Sequence, residues 1–366
     1  MKRVCASRTM NLKISIITGT LLLIVSVLSA QALRVGVAGL SHDHVNGLLN
    51  QYKNGEVIII GIAESDQQLV KRYQQKWNLP DSIFYTSVDQ MLQHTHPNAV
   101  LAYNAIADHL SVVEACAPKR ISVMVEKPLA TTVKQAERMV ALAKEYHILL
   151  LTNYETTWYS SNQQVFEMIH EQNVVGNIRK MVVHDGHQGP QEIGCSKDFL
   201  AWLTDPVKNG GGALTDFGCY GADLMTWLMN GKAPVSVTAI THQIKPNIYP
   251  KVDDDATILL EYPDATGIIE ASWNWPFGIK DLEVFGEKAY LHALNSNTVE
   301  RRDSVTYYKV DVKPTRYKDN LSYLAAVLKG EIQSENDPSS LENNVIVVRI
   351  LQAARESARQ GKKIAL

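Results

Sequence analysis

Asp216, Tyr220 and Asp223 are spaced i, i+4, i+7, so in a helix they share one face, with Leu214, Phe217, Leu224 and Leu228 roughly opposite. A carboxyl and a phenol held side by side are groups that exchange protons with a hydroxyl. The same spacing also suits an ordinary amphipathic helix with its polar side in water. Gly210-Gly211-Gly212, immediately before it, tips the reading toward chemistry, because glycines admit close backbone approach where a ligand or another domain must fit.

A second set of residues suits a nucleotide. An apolar run ends in Gly39-Leu40-Ser41-His42-Asp43-His44. In a dinucleotide-binding turn, small residues let backbone N–H groups approach a pyrophosphate at a helix N-terminus. Only the first position of G-x-G-x-x-G is glycine here; Ser41 and His44 fill the others, and a tight strand-to-helix turn is the competing reading. Glu64 lies 25 residues after Gly39 at the end of the next apolar run. An acid there suits ribose hydroxyls and repels a 2′-phosphate, which favours NAD over NADP.

These residues need a scaffold, and the chain supplies two kinds. Strand-like runs at Leu33–Leu40, Val57–Glu64, Ile83–Thr86, Ala99–Ala105, Ile121–Glu126 and Ile148–Asn153 alternate with helical stretches such as Thr131–His147. Their continuous apolar character predicts an α/β doubly wound parallel sheet, a Rossmann fold. Beyond Thr156 come helical regions at Ser160–Val174 and Gly212–Asn230. Strands follow at Val235–Lys245, Ala256–Tyr262, Thr266–Trp275, Leu282–Ala293 and Val305–Val312, and helices at Asn320–Ile332 and Leu341–Gln360. Strands without intervening helices predict an α+β domain with a large, mostly antiparallel open sheet. His184-Asp185-Gly186-His187 follows a further strand candidate and, with Trp273 and Trp275, is a candidate pocket lining.

Glu126-Lys127-Pro128 and the helix Gly210-Gly211-Gly212-Ala213-Leu214-Thr215-Asp216-Phe217-Gly218-Cys219-Tyr220 resemble the two most recognisable motifs of the glucose–fructose oxidoreductase, inositol dehydrogenase and rhizopine-catabolism (Gfo/Idh/MocA) family. The resemblance runs over essentially the whole chain after residue 32. It implies an NAD-dependent oxidoreductase acting on a sugar or glycoside hydroxyl, with Lys127, Asp216 and Tyr220 catalytic and a cis Lys127–Pro128 bond. With the turn and strand-end residues read above, the expected cofactor contacts are Gly39, Ser41, His42, Glu64, Asn104, His109, Glu126 and Lys127, and the expected substrate contacts are Asp223, His184, His187 and Trp273. A homo-oligomer and a closing helix (341–360) that returns to the Rossmann domain are further implications. Three positions depart from the family pattern: Tyr220 where most members have His, Asn104-Ala105 where Thr-Pro is frequent, and the incomplete glycine motif. A Lys127 ammonium beside Tyr220 is expected to favour the phenolate, so that Tyr220 takes the hydroxyl proton, Lys127 polarises the oxygen and Asp216 orients. Two alternatives are an NAD-dependent glycosidase without net redox change and a non-catalytic sugar- or nucleotide-binding protein.

Composition sets the outer bounds. The 366 residues exceed one usual core, so two domains are expected, at 33–156 and 157–366. A net charge of −2 leaves no basic excess for a nucleic-acid partner. Lys2, Arg3, Arg8 and Lys13, the apolar run Ile14–Ala30 and Ala30-Gln31-Ala32 follow the plan of a signal peptide over 1–32, which predicts Sec-type export to a periplasmic or extracellular location. Removing those four positive charges takes the formal charge from −2 to −6. No later stretch is long and apolar enough to span a membrane. Cys116, Cys195 and Cys219 make no disulfide framework, although a Cys195–Cys219 bridge remains open. His42/His44 and His94/His96 lack metal-site spacing, and no metal is expected.

Overall fold

Apolar runs long enough to be buried on both faces build the first layer. In the computed structural model, which describes residues 32–334 and 337–366, the expected signal peptide falls outside the described residues but for Ala32. Strands β1 (Arg34–Ala38), β2 (Ile58–Ala63), β3 (Phe84–Tyr85), β4 (Ala99–Ala102), β5 (Ser122–Glu126) and β6 (Leu150–Asn153) form a parallel sheet in the order β3-β2-β1-β4-β5-β6. Helices α1 (Val45–Lys53), α2 (Gln67–Trp77), α3 (Val88–His94), α4 (His109–Cys116) and α5 (Val133–Tyr146) connect them. Side chains of Asp66, Ser87 and Thr132 accept the first free N–H groups of α2, α3 and α5. The strand order reverses between β1 and β4, so the loops leaving them diverge and open a crevice at the carboxyl end of the sheet.

After α6 (Ser160–His170) and β7 (Ile178–Gly186) come α7 (Lys197–Leu203), α8 (Ala213–Asp216) and α9 (Gly218–Leu228). Then follow β8 (Ser236–His242), β9 (Asp255–Glu261), β10 (Thr266–Ser272), β11 (Ile279–Gly286), β12 (Tyr290–Asn295), β13 (Thr298–Arg302) and β14 (Tyr307–Val310). The chain closes with α10 (Asn320–Leu328), α11 (Leu341–Gln360) and β15 (Ile364–Ala365). The nine-stranded sheet runs β14-β13-β12-β11-β7-β10-β9-β8-β15 and is antiparallel except at β7–β10. Two expected elements are divided. The run 282–293 crosses a turn between β11 and β12, and the helix 212–230 breaks at Phe217, which lies between α8 and α9. His184, Asp185 and Gly186 belong to β7 rather than following it.

The last two helices blur the expected boundary at residue 157. Leu321, Leu324 and Val327 of α10 share a core with Val35, Leu48 and Leu49 of the nucleotide half. On α11, Val347, Ile350 and Leu351 join the core of the second sheet, while Val348 joins that of the first. From α11, Gln352 accepts the Val133 N–H at 2.9 Å, and Arg355 donates to the Thr131 carbonyl at 2.6 Å and to Thr215 Oγ1 at 3.5 Å. Among the described residues Cys116, Cys195 and Cys219 form no disulfide, so the Cys195–Cys219 bridge left open by the sequence does not form. No helix of the described residues is long and apolar enough to cross a membrane.

Candidate active site

The crevice at the β1–β4 switch is a groove of ≈ 400 Å³ lined by Gly39, Ser41, Glu64 and Asn104. Gly39 has φ +85°, and a Cβ there would lie 2.7 Å from Asn104 Cβ, so the glycine lets the two switch loops meet. Glu64 accepts the backbone N–H groups of Leu40 and Asp66, each at 2.9 Å, and so closes the turn while lining the groove. Asn104 Oδ1, and His109 Nε2 at the start of α4, are buried without a hydrogen-bond partner among the described residues. Orphaned polar atoms beside a switch-point crevice fit a dinucleotide that supplies the missing partners. Burial lowers the His109 imidazole to about 4, so it is neutral. Asp198, Ala201 and Trp202 of α7 also line the groove, a contribution with no local sequence signal.

His42 does not face this groove. Its ring is buried against Phe199 and Trp202, 4.6 and 5.4 Å away between ring centres. The fold does bring His42, His44 and Glu126 together within metal-ligand range, which spacing alone did not suggest. The His42 Nδ1 accepts the His44 N–H at 3.2 Å, so a neutral His42 keeps its proton on Nε2, toward Glu126. A metal at Nε2 would need an imidazolate, and the cluster reads instead as a hydrogen-bonded one. Glu126 accepts from Asn153 at 2.7 Å and contacts His44 Nδ1 at 3.0 Å. Burial alone would lower the His44 imidazole, but the Glu126 carboxylate outweighs it and holds the group above its ordinary range.

Lys127 leaves the end of β5 through a cis bond to Pro128. Its Nζ donates to the Asp216 carbonyl at 2.9 Å and pairs with Asp216 Oδ1. Trp273 Nε1 donates to Asp216 Oδ2 at 3.0 Å, so both carboxylate oxygens are engaged. An ammonium has three donors, and one remains for another partner. Burial works against both charges, but each stabilises the other: Lys127 sits above its ordinary range and Asp216 below.

Two ammonium groups face the Tyr220 ring, Lys127 at 5.0 Å and Lys280 of β11 at 4.2 Å from its centre. The expected phenolate is not what these surroundings favour. The Lys127 charge is committed to Asp216, and burial, followed by Glu155 and Asp185, pushes the phenol well above its ordinary range. Tyr220 is therefore a neutral hydroxyl.

The remaining expected positions separate cleanly. His187 is at the site, its ring 4.9 Å from that of Phe217. Phe217 itself, expected on the apolar face, lies beside Lys127 and Lys280. His184 points to the other face of the sheet, where it pairs with Asp281 at 2.7 Å. Asp223 packs against α11, hydrogen-bonded to Asn343 at 2.6 Å, and burial keeps its carboxyl protonated well above the usual range. Both are corrections to the expected substrate contacts, because α9 is buried on every side and helical spacing alone could not tell which side met the site. Trp273 is fully buried and holds Asp216 rather than lining an open pocket. At the glycine run the close neighbours are protein: a Cβ on Gly212 would lie 1.7 Å from the Asp253 carbonyl, and one on Gly210 3.1 Å from Thr131 Cβ. Asp253 caps α8 through the N–H groups of Gly212 and Leu214.

Comparison with known proteins places this geometry. Residues 33–154 match the family model for the oxidoreductase family with an NAD-binding Rossmann fold, and residues 163–292 that for the GFO/IDH/MocA C-terminal domain. A trans-1,2-dihydrobenzene-1,2-diol dehydrogenase of Xenopus tropicalis is 23% identical over 56% of this chain, which spans 57% of that relative's length. A myo-inositol 2-dehydrogenase of Thermotoga maritima is 21% identical over 91% of this chain and 98% of its own. Among solved structures, an aldose-aldose oxidoreductase from Caulobacter crescentus superposes with a TM-score of 0.77 at 20% identity, covering 92% of this chain and 100% of that one. An inositol dehydrogenase homolog from Azotobacter vinelandii, complexed with NAD+, gives 0.78 at 16% identity, covering 92% and 98%. The chain belongs to the Gfo/Idh/MocA oxidoreductase family and carries its NAD-binding Rossmann domain.

Proposed function

We propose that this protein is an NAD-dependent dehydrogenase that interconverts a secondary hydroxyl and a carbonyl on a sugar or polyol. The observation that carries the reading is the Lys127 ammonium at the carboxyl end of the Rossmann sheet, paired with Asp216, holding one donor free and facing the ring of Tyr220. Bound NAD supplies the two-electron acceptor. Lys127 donates to the substrate oxygen and stabilises the negative charge that develops there. Asp216 keeps that lysine charged, and Trp273 fixes Asp216. Tyr220, as a neutral phenol, orients the hydroxyl. Support for the substrate class comes from the relatives, whose named compounds include a diol and an inositol, and from the aromatic faces of Phe217 and Tyr220, which suit the apolar face of a sugar ring.

The test begins with mass spectrometry of the purified protein for bound NAD. Aldoses, inositols and cyclic diols are then screened by NADH absorbance. Turnover on at least one class is expected, and Lys127→Met should lower it by about 10²–10³-fold while NAD still binds. Lys127→Met turning over at the wild-type rate would sink the assignment.

A further inference from the structure

Resting on that dehydrogenase reading, we propose that Lys280 and Asp185 form a second proton-handling pair in the same site, Lys280 meeting the substrate hydroxyl and Asp185 taking up the proton behind it. Neither residue belongs to the motifs that identify the family. They face one another across the antiparallel β7–β11 pair, and Lys280 Nζ lies 3.7 Å from Asp185 Oδ1 and 4.2 Å from the centre of the Tyr220 ring.

Elimination leads to the same pair. Asp216 has both oxygens engaged. Glu126 is held by His44 and Asn153. Glu155 accepts from the Tyr159 hydroxyl and pairs with Lys280 at 3.3 Å. His187 Nδ1 accepts the Gly189 N–H at 2.9 Å, so the neutral ring keeps its proton on Nε2 and is no base. Tyr220 is neutral for the reasons given above. Asp185 remains: it is fully buried, and among the described residues neither carboxyl oxygen has a hydrogen-bond partner. A buried, unsatisfied carboxyl is costly unless the site uses it.

The charges around Asp185 agree with this role. Burial pushes its carboxyl up to about 8; the Lys280 charge opposes the rise, Glu155 reinforces it, and Lys127 and Asp216 follow in the same two senses. Tyr220, Cys219 and Tyr159 also face it, and all three stay protonated. Asp185 thus changes charge near neutrality, where a proton exchanger works best.

In oxidation the substrate O–H bond breaks and its proton passes to the Lys280 nitrogen as that nitrogen passes one of its own to Asp185 Oδ1. The adjacent C–H electron pair leaves with its hydrogen to the oxidant, NAD. The products are a carbonyl, the reduced cofactor and a protonated Asp185, which returns its proton to solvent through Lys280. Reduction runs the same steps backward, with Asp185 starting protonated.

The test uses the full chain with NAD and whichever compound turns over best among myo-inositol, D-glucose and D-xylose. Wild-type oxidation should rise with pH to a plateau, with a midpoint near 8. Asp185→Asn should lose that limb and about 10²–10⁴-fold in rate, with NAD affinity, read by fluorescence titration, unchanged. Lys280→Gln removes the opposing charge and should move the midpoint upward by about one unit, a shift that mere loss of structure does not produce. An Asp185→Asn enzyme with the wild-type limb, or a Lys280→Gln midpoint that does not move, overturns the pair and leaves the dehydrogenase reading standing. A wild type silent on every compound overturns the reading beneath it, and the pair with it.

Discussion

One register step on β7 and β11 separates two acid–base contacts that differ in almost every physical respect. Asp185 and Lys280 meet on the inner face, while their chain neighbours His184 and Asp281 meet on the outer one. Outside, Asp281 receives His184 at 2.7 Å and His292 at 3.0 Å, and all three side chains keep some access to solvent. Inside, Lys280 Nζ and Asp185 Oδ1 are 3.7 Å apart, and among the described residues the carboxyl has no hydrogen bond. Cross-strand pairs of opposite charge normally settle into satisfied geometry, as the outer one does. The inner pair departs from that pattern, as the proton-handling role proposed for it requires.

Substitutions on the two faces should therefore part company. The largest contrast is in turnover: Lys280→Met should slow the reaction by about 10²-fold or more, whereas His184→Gln should leave the steady-state rate unchanged. Equal losses on both faces would erase the distinction. A smaller contrast is in stability. The folded-state pKa of Asp185, raised from 3.8 to about 8, means that its contribution is most favourable below about 4 and is lost as pH climbs toward 8. Asp185→Asn should accordingly gain about 2 kcal/mol over wild type at pH 8 and nothing at pH 4, measured by urea unfolding of the apoprotein.

The smallest effect belongs to the outer face and has a different window. His184 and His292, raised by hydrogen bonds to Asp281, stabilise below about 6.5 and lose this as pH rises through their folded values. Asp281, lowered to about 2 because the two histidines outweigh burial, stabilises above 3.8 and loses this as pH falls. Asp281→Asn should cost about 1 kcal/mol between those limits and less on either side, after allowing for solvent screening. A cost that does not vary with pH would show that the histidines are not charged partners.

The parts of the site that a sequence displays are those carried by local spacing. Gly39 and Glu64 stand at the ends of successive apolar runs, and Lys127, Asp216 and Tyr220 sit in contiguous motifs. Asp223 was misassigned because α9 is buried on all sides, so no hydrophilic face marked its direction. Lys280 and Asp185 are brought together by sheet register alone, which no single window contains. One signal was still available. Met181, Val183 and Asp185 point to the same face of β7, so a carboxylate continues an otherwise apolar inward row. Read with a period of two, that intrusion separates Asp185 and His187 from His184. The return of α10 to the first core had no such cue, since an apolar helix does not advertise which of two sheets it will cover.

Arg355 reaches back to the Thr131 carbonyl and to Thr215, and so ties the loop that carries Lys127 to the short helix that carries Asp216. As a nascent chain emerges amino end first, the nucleotide half can begin to assemble while the rest is still being made. The brace between the segments that carry the lysine and the carboxylate is added only with the final helix. An early stop or a shortened carboxyl end would therefore remove both that brace and the side chains of α10 and α11 that complete the core of the first sheet.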